Sequence, residues 1–151
     1  NVNSSMIVEI TWEQIHDIWR NKLWPDRVSP IQKNSAMCFL QGHNMYNSST
    51  LSSFFGYNIN DIIVGVNSGH GTDNGYRSRG LWVNPEYRGL GIGQQLLLAT
   101  IKQAVNENYN MIWSLPRYTS WNTYKNVGFE LASDWFKTET SDQNAFCIHR
   151  L

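Results

Sequence analysis

The chain has 151 residues, 41% of them hydrophobic, with 12 Lys+Arg set against 12 Asp+Glu for a formal net charge of zero. That length suits one domain, residues 1–151, around a single core, and the apolar share excludes a disordered chain. A neutral balance also excludes a protein whose chief work is gripping phosphate backbones, since that affinity grows with each cationic contact; no nucleic acid is expected as a partner.

Met6 to Ile10 is a short apolar run that reads as a strand, ended by Thr11. Thr11-Trp12-Glu13-Gln14 has the T-x-x-Q form of a capping box, and Trp12, Ile15, Ile18, Trp19 and Leu23 then recur at helical spacing until Pro25. A loop follows through Asn34, then a possible strand over Met37 to Leu40 and a polar segment from Gln41 to Thr50. Ser53 to Ile59 and Ile62 to Val66 flank Asn60-Asp61 as a hairpin. The Gly- and Asn-rich stretch Ser68 to Gly75 reads as a loop leading to a third strand, Arg79 to Val83. A helix follows Gly93, with Leu97, Ile101, Ala104 and Val105 as its apolar stripe. Met111 to Leu115 is a strand, Trp121, Tyr124 and Val127 mark a short helix, and Gly128 is placed to cap it. Trp135 to Thr140 and Ala145 to Leu151 read as a final hairpin around Ser141 to Asn144. The expected fold is an α+β domain on one mixed sheet, with a right-handed strand, helix, strand crossover.

Cys38 and Cys147 lie far apart with no C-x-x-C pattern, so two reduced thiols are expected, with no disulfide framework and no metal. No apolar run approaches the roughly 20 residues that cross a bilayer, and the polar opening Asn1 to Ser5 lacks the form of a signal peptide. A soluble, cytoplasmic protein with no membrane partner is the expectation.

The chemistry concentrates in Val83-Asn84-Pro85-Glu86-Tyr87-Arg88-Gly89-Leu90-Gly91-Ile92-Gly93. Pro85 blocks the strand, and glycines at alternate positions open a helix whose first N–H groups lack acceptors, which suits an anion such as phosphate. A P-loop would need Gly-Lys-Ser or Gly-Lys-Thr, and a dinucleotide fingerprint would need glycine where Gln94 stands. Arg88-Gly89-Leu90-Gly91-Ile92-Gly93 instead meets the pattern Q/R-x-x-G-x-G/A, and Val83 to Gly93 resembles the pyrophosphate motif of the GNAT superfamily of acyl-CoA-dependent N-acetyltransferases. Ser120, Tyr124, Gly128 and Phe129 resemble a second pattern of that superfamily, A/S-x-x-x-Y-x-x-x-G-F. The resemblance spans roughly Ile62 to Glu130, while Arg117 stands where many members carry an Asn that bonds the pantetheine.

The resemblance implies a central, mostly antiparallel sheet flanked by helices, and transfer of an acetyl group from acetyl-CoA to a primary amine in a ternary complex. The acceptor would be a small molecule or a peptide, the assembly a monomer or homodimer. It further implies that Arg88, Gly89, Leu90, Gly91, Ile92 and Gly93 hold phosphates, and that Leu81, Trp82 and Val83 lend main-chain groups to the pantetheine and the acetyl carbonyl. Tyr124 is the expected general acid, because its hydroxyl is a donor at neutral pH. For the base, His70 has a suitable intrinsic pKa, with Glu130 and a water chain ending at Ser114 as rivals. A non-catalytic acyl-CoA-binding module, or a longer acyl chain admitted between Trp82 and Trp113, are the alternative expectations.

Overall fold

A computed structural model describes residues 5–35, 37–40, 42–43 and 51–151. The first strand, β1 (Met6–Glu9), runs into the predicted cap: Thr11 Oγ1 accepts from the Gln14 amide at 3.1 Å, and Gln14 Oε1 accepts from the Thr11 amide at 2.8 Å. Helix α1 (Trp12–Ile18) then widens into one π turn, Trp19–Leu23, closed by the Trp24 amide on the Trp19 carbonyl at 2.8 Å. Strands β2 (Met37–Cys38) and β3 (Gly42–His43) form a small separate hairpin. The remainder of the polar segment expected over 41–50 lies outside the described residues.

The main sheet takes β4 (Ser52–Ile59), β5 (Ile62–Thr72) and β6 (Gly75–Val83), then α2 (Ile92–Asn106) and β7 (Met111–Ser114). Helix α3 (Trp121–Asn126), β8 (Glu130–Leu131), β9 (Phe136–Thr138), β10 (Ser141–Asn144) and β11 (Cys147–Arg150) complete the chain. The strand order is β1-β4-β5-β6-β7-β11-β8, antiparallel throughout except for the parallel pair β6 and β7 that α2 connects. This is the mixed α+β sheet that the pattern predicts.

Three expectations need correcting. Ser68 to Gly75 is not a loop: β5 runs on to Thr72 and β6 starts at Gly75, so only Asp73-Asn74 turns. The glycines there relieve crowding, since a Cβ on Gly69 would stand against the Tyr76 ring within 2.3 Å. The final hairpin is also different, because 141–144 is itself a strand paired with β9, while β11 enters the main sheet between β7 and β8. On α2, Val105 is exposed, and the buried stripe runs through Ile92, Leu96, Leu97, Thr100 and Ala104.

Helices cover both faces. Trp19, Ile15, Val66 and Trp82 pack together on the α1 side, and Val64, Phe55, Ile92 and Leu96 on the α2 side. Tyr76, Leu97, Ile112, Tyr124 and Phe129 fill the space where α2 and α3 meet the sheet.

Two irregularities of β6 make the site. Its register against β5 passes from Val66↔Trp82 to Ser68↔Arg79, so β6 carries one extra residue at Gly80, which has φ +80°. On its other edge β6 pairs with β7 only at Tyr76↔Ile112 and Arg77↔Trp113. Beyond that point the strands diverge, with Ser114 Oγ donating to the Ser78 carbonyl at 2.7 Å.

Candidate active site

A cavity of about 740 Å³ opens in this divergence. The β6 residues Leu81, Trp82 and Val83 form one wall, Leu115, Pro116 and Arg117 the facing one, and the Arg88 to Gly93 turn lies at one end. At the other end stand Arg77, Arg79, Trp24 and Met37, with Thr138, Glu139 and Asn144 from the β9–β10 hairpin.

The glycine turn has the geometry of an anion cradle. Gly89 and Gly91 both have φ +80°, and a Cβ on either would meet no atom of the described residues within 4 Å, so the backbone is open on that side. Gly91 is the N-cap of the 15-residue α2, and no side chain caps the helix. The first helical bond runs from the Gln95 amide to the Gly91 carbonyl, so the amides before it have no acceptor within the helix. Those N–H groups and the positive end of the helix dipole fit a pyrophosphate without any side-chain charge. Arg88 closes the turn by donating Nε to the Val83 carbonyl at 3.0 Å.

Val83 also has a donor to offer. The Asn84 amide bonds the Val64 carbonyl at 2.8 Å, and Gly65 stands opposite Val83. In an antiparallel ladder this directs the N–H of Val83 away from β5, toward the gap that β7 has left.

Tyr124 lines the cavity from α3 and is otherwise buried. Burial, reinforced by Cys147, pushes its hydroxyl above the usual phenol range, while a hydrogen bond with Ser114 and the charges of Arg77 and Arg117 oppose the shift. The phenol is therefore a protonated donor at neutral pH.

Arg77 is 7% exposed; its guanidinium lies over the Trp113 ring at 4.9 Å, and its Nε and Nη1 are buried without a hydrogen-bond partner among the described residues. Burial pulls its pKa to about 10, so it remains charged at neutral pH. Arg79 donates Nη1 to the Gln32 carbonyl at 2.7 Å and is wedged over Trp19 and Trp24 at 4.9 and 5.5 Å. Burial, with Arg77 and Arg27 adding to it, drives its pKa well below the usual value.

Other expected residues stand elsewhere. His70 is inside β5, fully buried and outside the cavity lining; Nδ1 is 3.1 Å from the Gly71 carbonyl, and Nε2 accepts from the Ser35 amide at 3.3 Å. Burial and the charge of Arg77 lower its pKa to about 3, which leaves a neutral ring with both nitrogens engaged. Glu130 is exposed on β8, and neither it nor Leu90 lines the cavity. Trp113 is buried beneath Arg77 and does not reach the lining, whereas Trp82 does. Arg117 is half-buried, donating Nη2 to the Leu23 carbonyl at 2.8 Å.

Residues 11–129 match the family described as the acetyltransferase (GNAT) family. The chain belongs to the GNAT family. It is accordingly an acyltransferase that draws on an acyl-CoA donor. No curated protein is significantly similar in sequence. Among solved structures, the chain resembles a GNAT-family acetyltransferase from Staphylococcus aureus (22% identity, TM-score 0.66, covering 98% of this chain and 99% of that one). It also resembles an IAA acetyltransferase from Bacillus cereus (15% identity, TM-score 0.72, 98% and 100% covered). A third likeness is to the PaiA N-acetyltransferase from Thermoplasma acidophilum in complex with coenzyme A (16% identity, TM-score 0.56, 66% and 61% covered). At these identities the likeness shows the GNAT fold.

Sequence reasoning missed the two arginines. Arg77 lies between the loop expected over Ser68 to Gly75 and the strand expected from Arg79, where an arginine reads as solvated, and Arg79 stands at the start of that strand. The signal available was their two-residue spacing, which puts both on one face once β6 is extended to Gly75.

Proposed function

We propose that this GNAT-family chain transfers an acetyl group from acetyl-CoA to a primary amine by direct attack in a ternary complex, in the cytoplasm. The observation that carries the reading is one cavity lined both by the Gly89 to Gly93 turn at the start of α2 and by Tyr124. The amides of that turn, with Arg88, bind the pyrophosphate. Leu81, Trp82 and Val83 line the pantetheine, and the Val83 N–H stabilises the negative charge that develops on the thioester oxygen.

The acceptor must first lose a proton, which at a pKa of about 10.4 costs on the order of 4–5 kcal/mol at pH 7. With His70 sealed in β5, that proton leaves through the water of the cavity. The nitrogen lone pair then forms the C–N bond as the C–S bond breaks, and Tyr124 gives its proton to the departing thiolate. Solvent reprotonates Tyr124.

Calorimetry with acetyl-, butyryl- and long-chain acyl-CoA, followed by thiol release with a panel of amines, tests the reading. Tight acetyl-CoA binding with turnover supports it. Absence of both, or a preference for a long acyl chain, overturns it. Binding that survives Tyr124→Phe with no turnover to lose would favour a non-catalytic module.

A further inference from the structure

Arg77 is costly to the protein as it stands. A buried guanidinium is expected to have its donors met by acceptors or paired with a carboxylate, yet Nε and Nη1 of Arg77 have no partner among the described residues. All 12 Asp and Glu residues fall within the described segments, and none forms an ion pair with it. Glu139 is the only carboxylate among the described residues lining the cavity, and it is already committed: it accepts from the Val28 and Ser29 amides at 2.8 and 3.0 Å and from Ser29 Oγ at 2.6 Å. The same chamber holds Arg79 and Arg27. Arg79 is anchored by Gln32 and two indoles, and Arg27 by Ser29 and Pro30. Arg77 alone among them has buried donors without a partner among the described residues. It stands on β6 above the point where β7 separates, beyond the stretch that faces the glycine turn.

We infer that the amine acceptor is a small molecule that also carries a carboxylate, which Arg77 binds at the buried end of the cavity. This rests on the acetyl-transfer reading above. The planar fork of a guanidinium matches the two oxygens of a carboxylate, and the positive charge of Arg79 and Arg27 adds to the attraction. Binding across Nη2 and one of its neighbours would meet one of the orphaned donors and neutralise the charge, so the interaction is stronger than at an exposed arginine. The cavity also has to hold the acyl arm of the donor, which leaves room for an amino acid rather than for a protein chain. A carboxylate held at Arg77 directs the amine of the same molecule toward Val83 and Tyr124.

The test compares free amino acids with their carboxamides and their decarboxylated amines, together with O-phosphoethanolamine, by thiol release under saturating acetyl-CoA. The expected result is a ten-fold or larger preference in kcat/KM for the amino acids, falling to within about three-fold in Arg77→Gln, while acetyl-CoA affinity changes less than two-fold. Arg77→Lys, which keeps the charge and loses the fork, should recover part of the preference. Equal use of the amides and amines, a preference for the phosphate ester, or loss of acetyl-CoA affinity in Arg77→Gln would each overturn the inference. If acetyl-CoA binds but no amine reacts, thermal shifts of the coenzyme A complex titrated with the same amino acids decide. Saturable stabilisation that Arg77→Gln abolishes upholds the carboxylate site, and its absence overturns it. Failure of acetyl-CoA to bind would instead count against the transferase reading itself.

Discussion

Trp19 Nε1 donates to the Gly80 carbonyl at 2.8 Å, and the indole occupies the space that a Cβ on residue 80 would need. The N-terminal helix is thereby locked onto the bulge in β6, across 61 residues of sequence. A Cβ at Gly80 would stand 2.4 Å from the indole, and the φ of +80° is left-handed as well. Gly80→Ala should cost roughly 2–5 kcal/mol, combining left-handed strain with overpacking. Trp19→Phe removes the atoms in the way, so the double variant should lose less stability than the two single changes add up to. Strict additivity in denaturant unfolding would contradict this account.

His70 should make the protein sensitive to mild acid. Its pKa is about 3 in the fold, against an ordinary value of 6.5. The unfolded chain binds the proton more readily, so the stabilisation is complete above pH 6.5 and is lost as pH falls toward 3. His70→Gln keeps an acceptor for the Ser35 amide and carries no titrating group. Its melting temperature is expected to fall less steeply than that of the wild type between pH 6.5 and 4; parallel slopes would contradict the assignment.

For Tyr124, replacement by Phe should lower kcat by about 10²-fold or more, in the range of general acid catalysis, with little change in acetyl-CoA affinity. Because burial raises the phenol pKa above its ordinary value, the wild-type kcat should show no alkaline decline up to the ordinary phenol pKa of about 10. A falling limb near pH 8 would assign the proton to another group.

The glycine turn offers a separation of effects. Gly91→Ala meets no neighbour, so its stability cost is confined to the left-handed strain of roughly 1–2 kcal/mol. The new methyl group projects from the cradle, and acetyl-CoA affinity is expected to fall ten-fold or more by calorimetry. A variant that binds acetyl-CoA as the wild type does would remove this turn from the donor site.

Arg77→Met should stabilise the ligand-free protein. It removes a buried charge with two unmet donors, and the loss of its contact with Trp113 offsets only part of the gain. A net rise of about 1 kcal/mol in denaturant unfolding is expected. A drop instead would show that the guanidinium holds the fold together.

Local chemistry made much of this molecule readable in advance. The Thr11 cap, the Pro85 break, the glycine turn and the left-handed Gly128 each follow from what a single residue permits its backbone to do. What stayed hidden depends on partners distant in sequence. Gly69 and Gly71 resemble loop residues until Tyr76 is known to lie across them. Ser141 to Asn144 looks like a turn because its polar composition conceals its pairing with Phe136 to Thr138. The seclusion of His70 depends on the amide of Ser35 and the length of β5, neither of which a histidine in a presumed loop could disclose.

The extra residue in β6 sets a parity along the strand. Side chains alternate sides with a period of two, so a single insertion inverts everything downstream of it. Arg79 and Trp82 consequently share the α1 side although three positions separate them, while Leu81 and Val83 turn toward α2. Deleting Gly80 would send Trp82 into the space against Ile92 and Leu96 and turn Val83 outward beside Trp19. The strand that unites the arginine end with the glycine end can therefore accept exchanges of residue type far more readily than any change in its length.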